Sequence, residues 1–175
     1  MRDRSERDTE FTAFVAARRP QLRRTAYLLC GDWHAAEDLV QIALAKLYAA
    51  WPRLRKDVTP DAYARRTLLR AHIDETRRPW RREVTSTTLP EPATTGGLAF
   101  EEREALLAAL NALAPGQRRV VVLRHWLGLS VEETAADLGC STGTVKSQTV
   151  RAVTRLRAAL EGSALTTEDN HEPTR

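Results

Sequence analysis

The residues able to do chemistry fall into one scattered set and three clusters. The scattered set holds the usual catalytic and metal-binding types. His34, His72, His125 and His171 are scattered, and no His/Cys/carboxylate cluster has metal-ligand spacing. No GxSxG, Walker or HExxH pattern occurs. Glu132-Glu133 is a pair of carboxylates, but its place just after Ser130 fits a helix cap better than acid/base catalysis. No electropositive thiolate site is evident around either cysteine. The chemistry expected is therefore binding, with no catalytic residue, no metal and no cofactor.

The clusters carry the binding. Thr144, Gln148, Arg151 and Arg155 recur at i, i+4, i+7 and i+11, which sets them on one stripe of a helix. Gln and Arg can bond base edges in a DNA major groove, and Lys146, Ser147 and Arg155 can reach phosphates. A second cluster holds Tyr63, Arg66, Arg70 and Arg77, followed by Trp80, Arg81 and Arg82 and preceded by Arg53-Leu54-Arg55-Lys56. Aromatic faces for stacking and cations for phosphates suit an unpaired strand. A solvated basic face with Tyr63 in the core fits the same residues. The third cluster, Asp38, Gln41, Ile42 and Ala45, is a mixed polar and apolar patch. Asp38 and Gln41, three apart, could bond a partner's basic or polar groups, although an ordinary exposed face accounts for them equally well.

Helices must position all three clusters. Phe11, Val15, Leu22, Ala26 and Leu29 mark one face of an opening helix that Pro20 is expected to kink or divide. Asp32 caps a second helix with the inward stripe Ala36, Val40, Ala43 and Leu47, ended by Trp51 and Pro52. Thr59-Pro60-Asp61 opens a third helix, expected to run to about Arg78. Leu106, Leu110 and Leu113 lie at helical spacing from Phe100 on, and Pro115-Gly116 is expected to break that helix. A helix over Gln117–Leu127 follows, ended by Gly128. Ser130-Val131-Glu132-Glu133 has capping-box spacing, Gly139 ends the short helix it opens, and Ser141 caps another expected to reach about Leu160. A short capped helix, a glycine turn and a second helix together match the DNA-binding helix-turn-helix.

No alternating strand pattern occurs, so the fold class expected is all-α. Val84 to Gly97 is rich in Thr, Pro and Gly without apolar period and reads as a flexible linker. Two small helical domains are expected, over 1–83 and 100–161, with a linker over 84–99 and a disordered tail over 162–175.

Composition agrees with that layout. The chain has 175 residues, 42% of them hydrophobic, which excludes a wholly disordered protein. No run approaches the ~18 apolar residues of a membrane span. The N-terminus MRDRSERDTE lacks the apolar stretch of a signal peptide. A soluble cytoplasmic protein with no membrane insertion is expected. The net charge of +4 is unevenly spread: residues 1–82 carry 18 basic against 11 acidic side chains, and 105–160 carry 7 against 3. Residues 83–104 reverse this with 1 against 5, and 161–175 with 1 against 4. Two basic units separated by an acidic strip suggest that each meets a polyanion.

Three blocks in order, GDWHAAEDLVQIALAKLYAAW, PDAYARRTLLRAHIDETRR and LAPGQRRVVVLRHWLGLSVEETAADLGCSTGTVKSQTVRAVTRLR, resemble an RNA polymerase sigma factor of the extracytoplasmic-function (group 4) type. The chain is similar to the short two-domain members common in actinobacteria, over roughly residues 10–161. The resemblance implies a region-2-like bundle and a region-4-like helix-turn-helix, with core RNA polymerase and promoter DNA as partners. It leaves open an anti-sigma factor as a further partner. It further implies that Asp38, Leu39, Gln41, Ile42 and Ala45 grip core polymerase. Arg53, Arg55, Lys56, Tyr63, Arg66, Arg70, Arg77, Arg78 and Trp80 would melt and read the −10 element. Ser141, Thr144, Lys146, Ser147, Gln148, Arg151 and Arg155 would read the −35 element. Arg70 and Tyr63 stand where many relatives carry Asn and Trp, which keeps the role but leaves the −10 base preference open. The rival expectation is a helix-turn-helix regulator that binds duplex DNA tightly without being a polymerase subunit.

Overall fold

Helix N-termini are built by side chains that reach back to orphaned amides. The Asp32 carboxylate accepts from the Ala35 N–H at 2.7 Å, and the Thr59 hydroxyl accepts from the Ala62 N–H at 3.2 Å. At Ser130 both halves of the capping box form. Its hydroxyl accepts from the Glu133 N–H at 3.0 Å, while the Glu133 carboxylate accepts from the Ser130 N–H at 2.8 Å. Each bond satisfies an amide that the helix itself leaves without a partner.

The structure, a computed structural model, describes residues 4–54, 57–77 and 100–168, with side-chain surroundings as far as residue 162. Its helices are α1 (Arg4–Cys30), α2 (Trp33–Ala50), α3 (Pro60–Thr76), α4 (Phe100–Asn111), α5 (Pro115–Val121), α6 (Val131–Leu138) and α7 (Thr142–Glu168). A 3-10 turn at Trp51–Arg53 follows α2, and one π turn at Val122–Trp126 prolongs α5. The fold is all-α, with no strand among the described residues. The chain divides into two compact units, Met1–Leu89 and Pro90–Arg175.

In the first unit α2 is the central helix and packs against both α1 and α3. Its expected stripe of Ala36, Val40, Ala43 and Leu47 is fully buried, joined by Leu39 and Leu44 from α2 and by Ala26, Leu29, Leu68 and Leu69 from the flanking helices. Trp51 packs against Phe11 and Phe14, with ring centroids 5.2 and 5.5 Å away.

The second unit centres on α7, which α4, α5 and α6 all touch. Val120, Ala135 and Val145 form the buried centre of the helix-turn-helix, with Val131, Leu138 and Cys140 packed around it. Gly139 makes the turn. Its φ of 65° is left-handed, a conformation glycine adopts without a Cβ penalty, and the Cys140 N–H bonds back to the Ala135 carbonyl at 3.1 Å.

Several boundaries differ from expectation. α1 runs unbroken through Pro20, because aromatic packing before it and Ala26 and Leu29 after it outweigh the lost amide bond. Pro115 starts α5 rather than ending α4; at the first helical position its missing N–H costs nothing, and the chain turns at 112–114 instead. α3 stops at Thr76, with Arg77 as its C-cap. The last helix continues to Glu168, so the tail expected to be disordered from residue 162 is helical in its first part, while 169–175 lie outside the described residues. The whole of the expected linker, residues 84–99, also lies outside them.

Candidate nucleic-acid interface

In α7 the sequence places its inward residues at Val145, Thr149, Ala152 and Leu156, of which Val145 and Ala152 are fully buried. That anchoring rotates the opposite side outward. Thr144, Lys146, Ser147, Arg151 and Arg155 are exposed, and Gln148 is half-buried at the edge. The first turn is fixed by Ser141, whose hydroxyl accepts from the Thr144 N–H at 3.1 Å and pairs with the Thr144 hydroxyl at 2.9 Å. Ser141 is thus exposed but engaged as a cap. The Ser147 hydroxyl likewise donates to the Thr144 carbonyl at 3.0 Å.

Arg155 is exposed and has an internal partner as well. It donates at 3.2 Å to Oε1 of Gln117, a side chain only 6% exposed on α5. The bond ties α7 to α5, so Arg155 supports the helix from the edge of the exposed stripe. Lys146 and Arg151 make no such internal bond among the described residues and present their charge outward. The spacing argument missed Val150, which is 67% exposed between Lys146 and Thr154. Counting 100° per residue from Val145 would have placed it on the outer face.

The turn that delivers Ser130 is also built. The Arg124 guanidinium donates to the Leu129 carbonyl, and the Leu129 N–H donates to the Leu123 carbonyl at 3.0 Å. These bonds hold the short connection between the π turn and the capping box. The α6–α7 pair is therefore pinned at its entrance, its turn and its buried centre. A rigid, capped helix with a cationic outer face can enter a major groove.

In the first unit the structure brings some expected residues together and removes others. Asp38, Gln41, Ile42 and Ala45 all lie exposed on α2, with Ile42 41% exposed. Leu39 is not part of that surface: it is 0% exposed, on the opposite side of the helix in the α1–α2–α3 core. Gln41 is held by Glu37, a residue the sequence reading overlooked; its Nε2 donates to Glu37 Oε1 at 3.2 Å. Glu37 also bonds Arg19, and Arg23 lies 3.3 Å away, both from α1. Burial pushes the Glu37 carboxyl up, but hydrogen bonds from Arg19 and Gln41 and the charges of Arg19 and Arg23 prevail and hold it below the usual value. Its i, i+4 spacing to Gln41 was the signal available in the sequence.

On α3, Tyr63 and Arg66 are half-buried, whereas Arg70 and Arg77 are exposed. Arg53 is exposed at the end of the 3-10 turn. Arg55, Lys56, Arg78 and Trp80 lie outside the described residues. Among the described residues no group of three or more His, Cys, Asp or Glu side chains could hold a metal ion.

Comparison with known proteins bears on both units. The Sigma-70 region 2 family matches residues 14–82, and the Sigma-70, region 4 family matches residues 103–156. The chain is 43% identical over 152 residues to the RNA polymerase sigma-E factor of Streptomyces coelicolor, covering 86% of each chain. It is 35% identical to the ECF RNA polymerase sigma factor EcfG of Rhodopseudomonas palustris, covering 83% of this chain and 82% of that one. Among solved structures it is similar to the sigma factor RpoE of Bartonella quintana, in complex with the anti-sigma factor NepR. The TM-score is 0.74 at 29% identity, over 87% of this chain and 97% of that one.

Proposed function

The chain belongs to the extracytoplasmic-function RNA polymerase sigma factors of the sigma-70 family, and from that membership we propose how its two units divide a sigma factor's work. As a sigma factor it binds core RNA polymerase and directs initiation at specific promoters; the reading as a free-standing helix-turn-helix regulator gives way to it.

In our reading residues 1–83 bind core polymerase and the −10 element, 84–99 link the units, and 100–161 bind the −35 element. Asp38, Gln41, Ile42 and Ala45 form the polymerase-facing patch, with Leu39 positioning them from the core. Arg53, Arg55 and Lys56 enter the strand-opening surface together with Tyr63, Arg66, Arg70, Arg77, Arg78 and Trp80. There cations meet phosphates and aromatic faces receive an extruded base. Thr144, Lys146, Ser147, Gln148, Arg151 and Arg155 read or grip the −35 duplex, while Ser141 caps the helix that carries them and Arg155 also ties it to α5. Binding energy, not hydrolysis, opens the strands, so the protein is a binding subunit rather than an enzyme. It acts in the cytoplasm beside the polymerase; among the described residues no helix is long and apolar enough to cross a membrane. An anti-sigma factor, the partner in the Bartonella complex, is a further partner.

The observation that carries the division of labour is α7: a helix capped at Ser141, packed through Val145 and Ala152, and cationic on its exposed side. Run-off transcription with purified core polymerase from the same host tests it. We expect co-elution with core and promoter-specific transcripts only when both are present. Tight duplex binding by the chain alone, with no holoenzyme and no transcript, would overturn the reading.

A further inference from the structure

Val150 stands 67% exposed in the middle of α7, where neither packing nor helix propensity accounts for a valine. An exposed site returns nothing for apolar area, and a β-branched side chain is a poorer helix former than Ala, Lys or Arg. Lys146 lies one turn before it, with Ser147 beside it at i−3, and Thr154 lies one turn after; all three are exposed. Ser147 donates its hydroxyl proton to the Thr144 carbonyl at 3.0 Å, and Thr154 donates its own to the Val150 carbonyl at 2.9 Å. Both protons are thus committed to the helix backbone. What this stripe offers a partner is a branched apolar group between the cations Lys146 and Arg151, not a row of hydrogen-bond donors. In a major groove the cations meet phosphates or guanine edges, and the one base-edge feature an apolar side chain reads is the C5 methyl of thymine.

We propose that Val150 is a specificity-determining residue that selects a thymine in the −35 element by packing against its C5 methyl. The proposal rests on α7 being the −35-reading helix.

Holoenzyme made from the full chain and host core polymerase, presented with promoters randomised across the −35 element, supplies the test sequence. Each thymine of the selected element is then replaced by deoxyuridine, which removes one methyl and keeps every hydrogen bond of the base pair. For the unaltered protein we expect one replacement to lower affinity about three- to fivefold, as losing one buried methyl-sized contact implies. For Val150→Ala that replacement should have no effect, while the variant's affinity for the thymine promoter falls by a similar factor and its thermal unfolding stays unchanged. Equal responses of both proteins to deoxyuridine at every position, with Arg151→Ala still losing binding, overturn the thymine contact and leave the −35 reading standing. No loss from either Val150→Ala or Arg151→Ala overturns the −35 reading and the proposal with it. A Val150→Ala defect in joining core polymerase, at an unchanged deoxyuridine response, overturns the proposal in favour of a protein contact.

Discussion

Helices α2 and α7 are both capped by a short polar side chain and buried along one stripe, yet their outer faces are made differently. On α7 the outward residues Lys146 and Arg151 are long, cationic and without internal partners among the described residues. On the α2 patch Asp38, Ile42 and Ala45 are short or apolar, and Gln41 is tethered through Glu37 to Arg19 and Arg23 of α1. A polyanion of regular shape can be met by independent charges that displace counterions. A protein surface demands fixed geometry, and side chains ordered before contact lose less entropy on binding. The two faces are therefore expected to fail in different ways when altered.

The largest effect should separate what lies under the α2 face from what lies on it. Leu39→Ala leaves a cavity at a fully buried site and should destabilise the first unit by about 2–5 kcal/mol in denaturant unfolding. Asp38→Ala, one residue away and exposed, should stay within about 0.5 kcal/mol of the parent in stability while weakening core-polymerase binding. If Asp38→Ala and Gln41→Ala leave holoenzyme formation untouched, the α2 face is not the polymerase contact.

On α7 the expected losses are in binding rather than folding. Arg151→Ala should lower affinity for a −35 duplex, measured in the holoenzyme, by about 1–3 kcal/mol if the guanidinium reads a base edge. Lys146→Ala should instead weaken all sequences alike and reduce the salt slope by about one unit. Arg151→Ala behaving like Lys146→Ala would make α7 a purely electrostatic grip.

What was legible in the sequence follows the same division. Caps at Asp32, Thr59, Ser130 and Ser141 depend on residues three apart and stand where the local spacing puts them. The core stripe of α2 was equally readable from its period. Fates decided by distant partners were not. Leu39 falls within a surface motif although the α1–α2–α3 core claims it, and the bond from Arg155 to Gln117 joins residues 38 apart that no local spacing connects. Pro20 failed to divide α1 because packing on both sides of it overrides a local preference. Four of the nine −10 residues, Arg55, Lys56, Arg78 and Trp80, are carried by the family resemblance rather than by a described position.

A smaller effect tests the rigidity attributed to the α6–α7 pair. Ser130→Ala removes the acceptor for the Glu133 amide and should cost about 1 kcal/mol of second-unit stability. Because the cap lies outside the DNA-facing stripe, duplex affinity well below the unfolding midpoint should change little. A large loss of affinity with intact folding would mean that α6 itself touches DNA.

The smallest expected effect bears on the tether beneath Gln41. The Glu37 carboxyl is held below its usual value in the folded protein, so its ionised form stabilises folding at pH values above the ordinary 4.5. That contribution fades as pH falls from about 4.5 through the lowered folded value, where the folded state also takes up the proton. Glu37→Gln should therefore be less stable than the parent near neutrality, by a small margin because the group is partly exposed, and the two should converge in acid. The variant can still bond Gln41 but no longer holds two arginines by charge, so its core-polymerase affinity should fall less than that of Gln41→Ala. A stability difference that stays constant from pH 7 down to pH 3 would show that the Arg19–Arg23–Glu37 charges do not fix the α2 face. Its order would then come from its cap and its core packing, and the contrast between the two helices would reduce to the side chains they display.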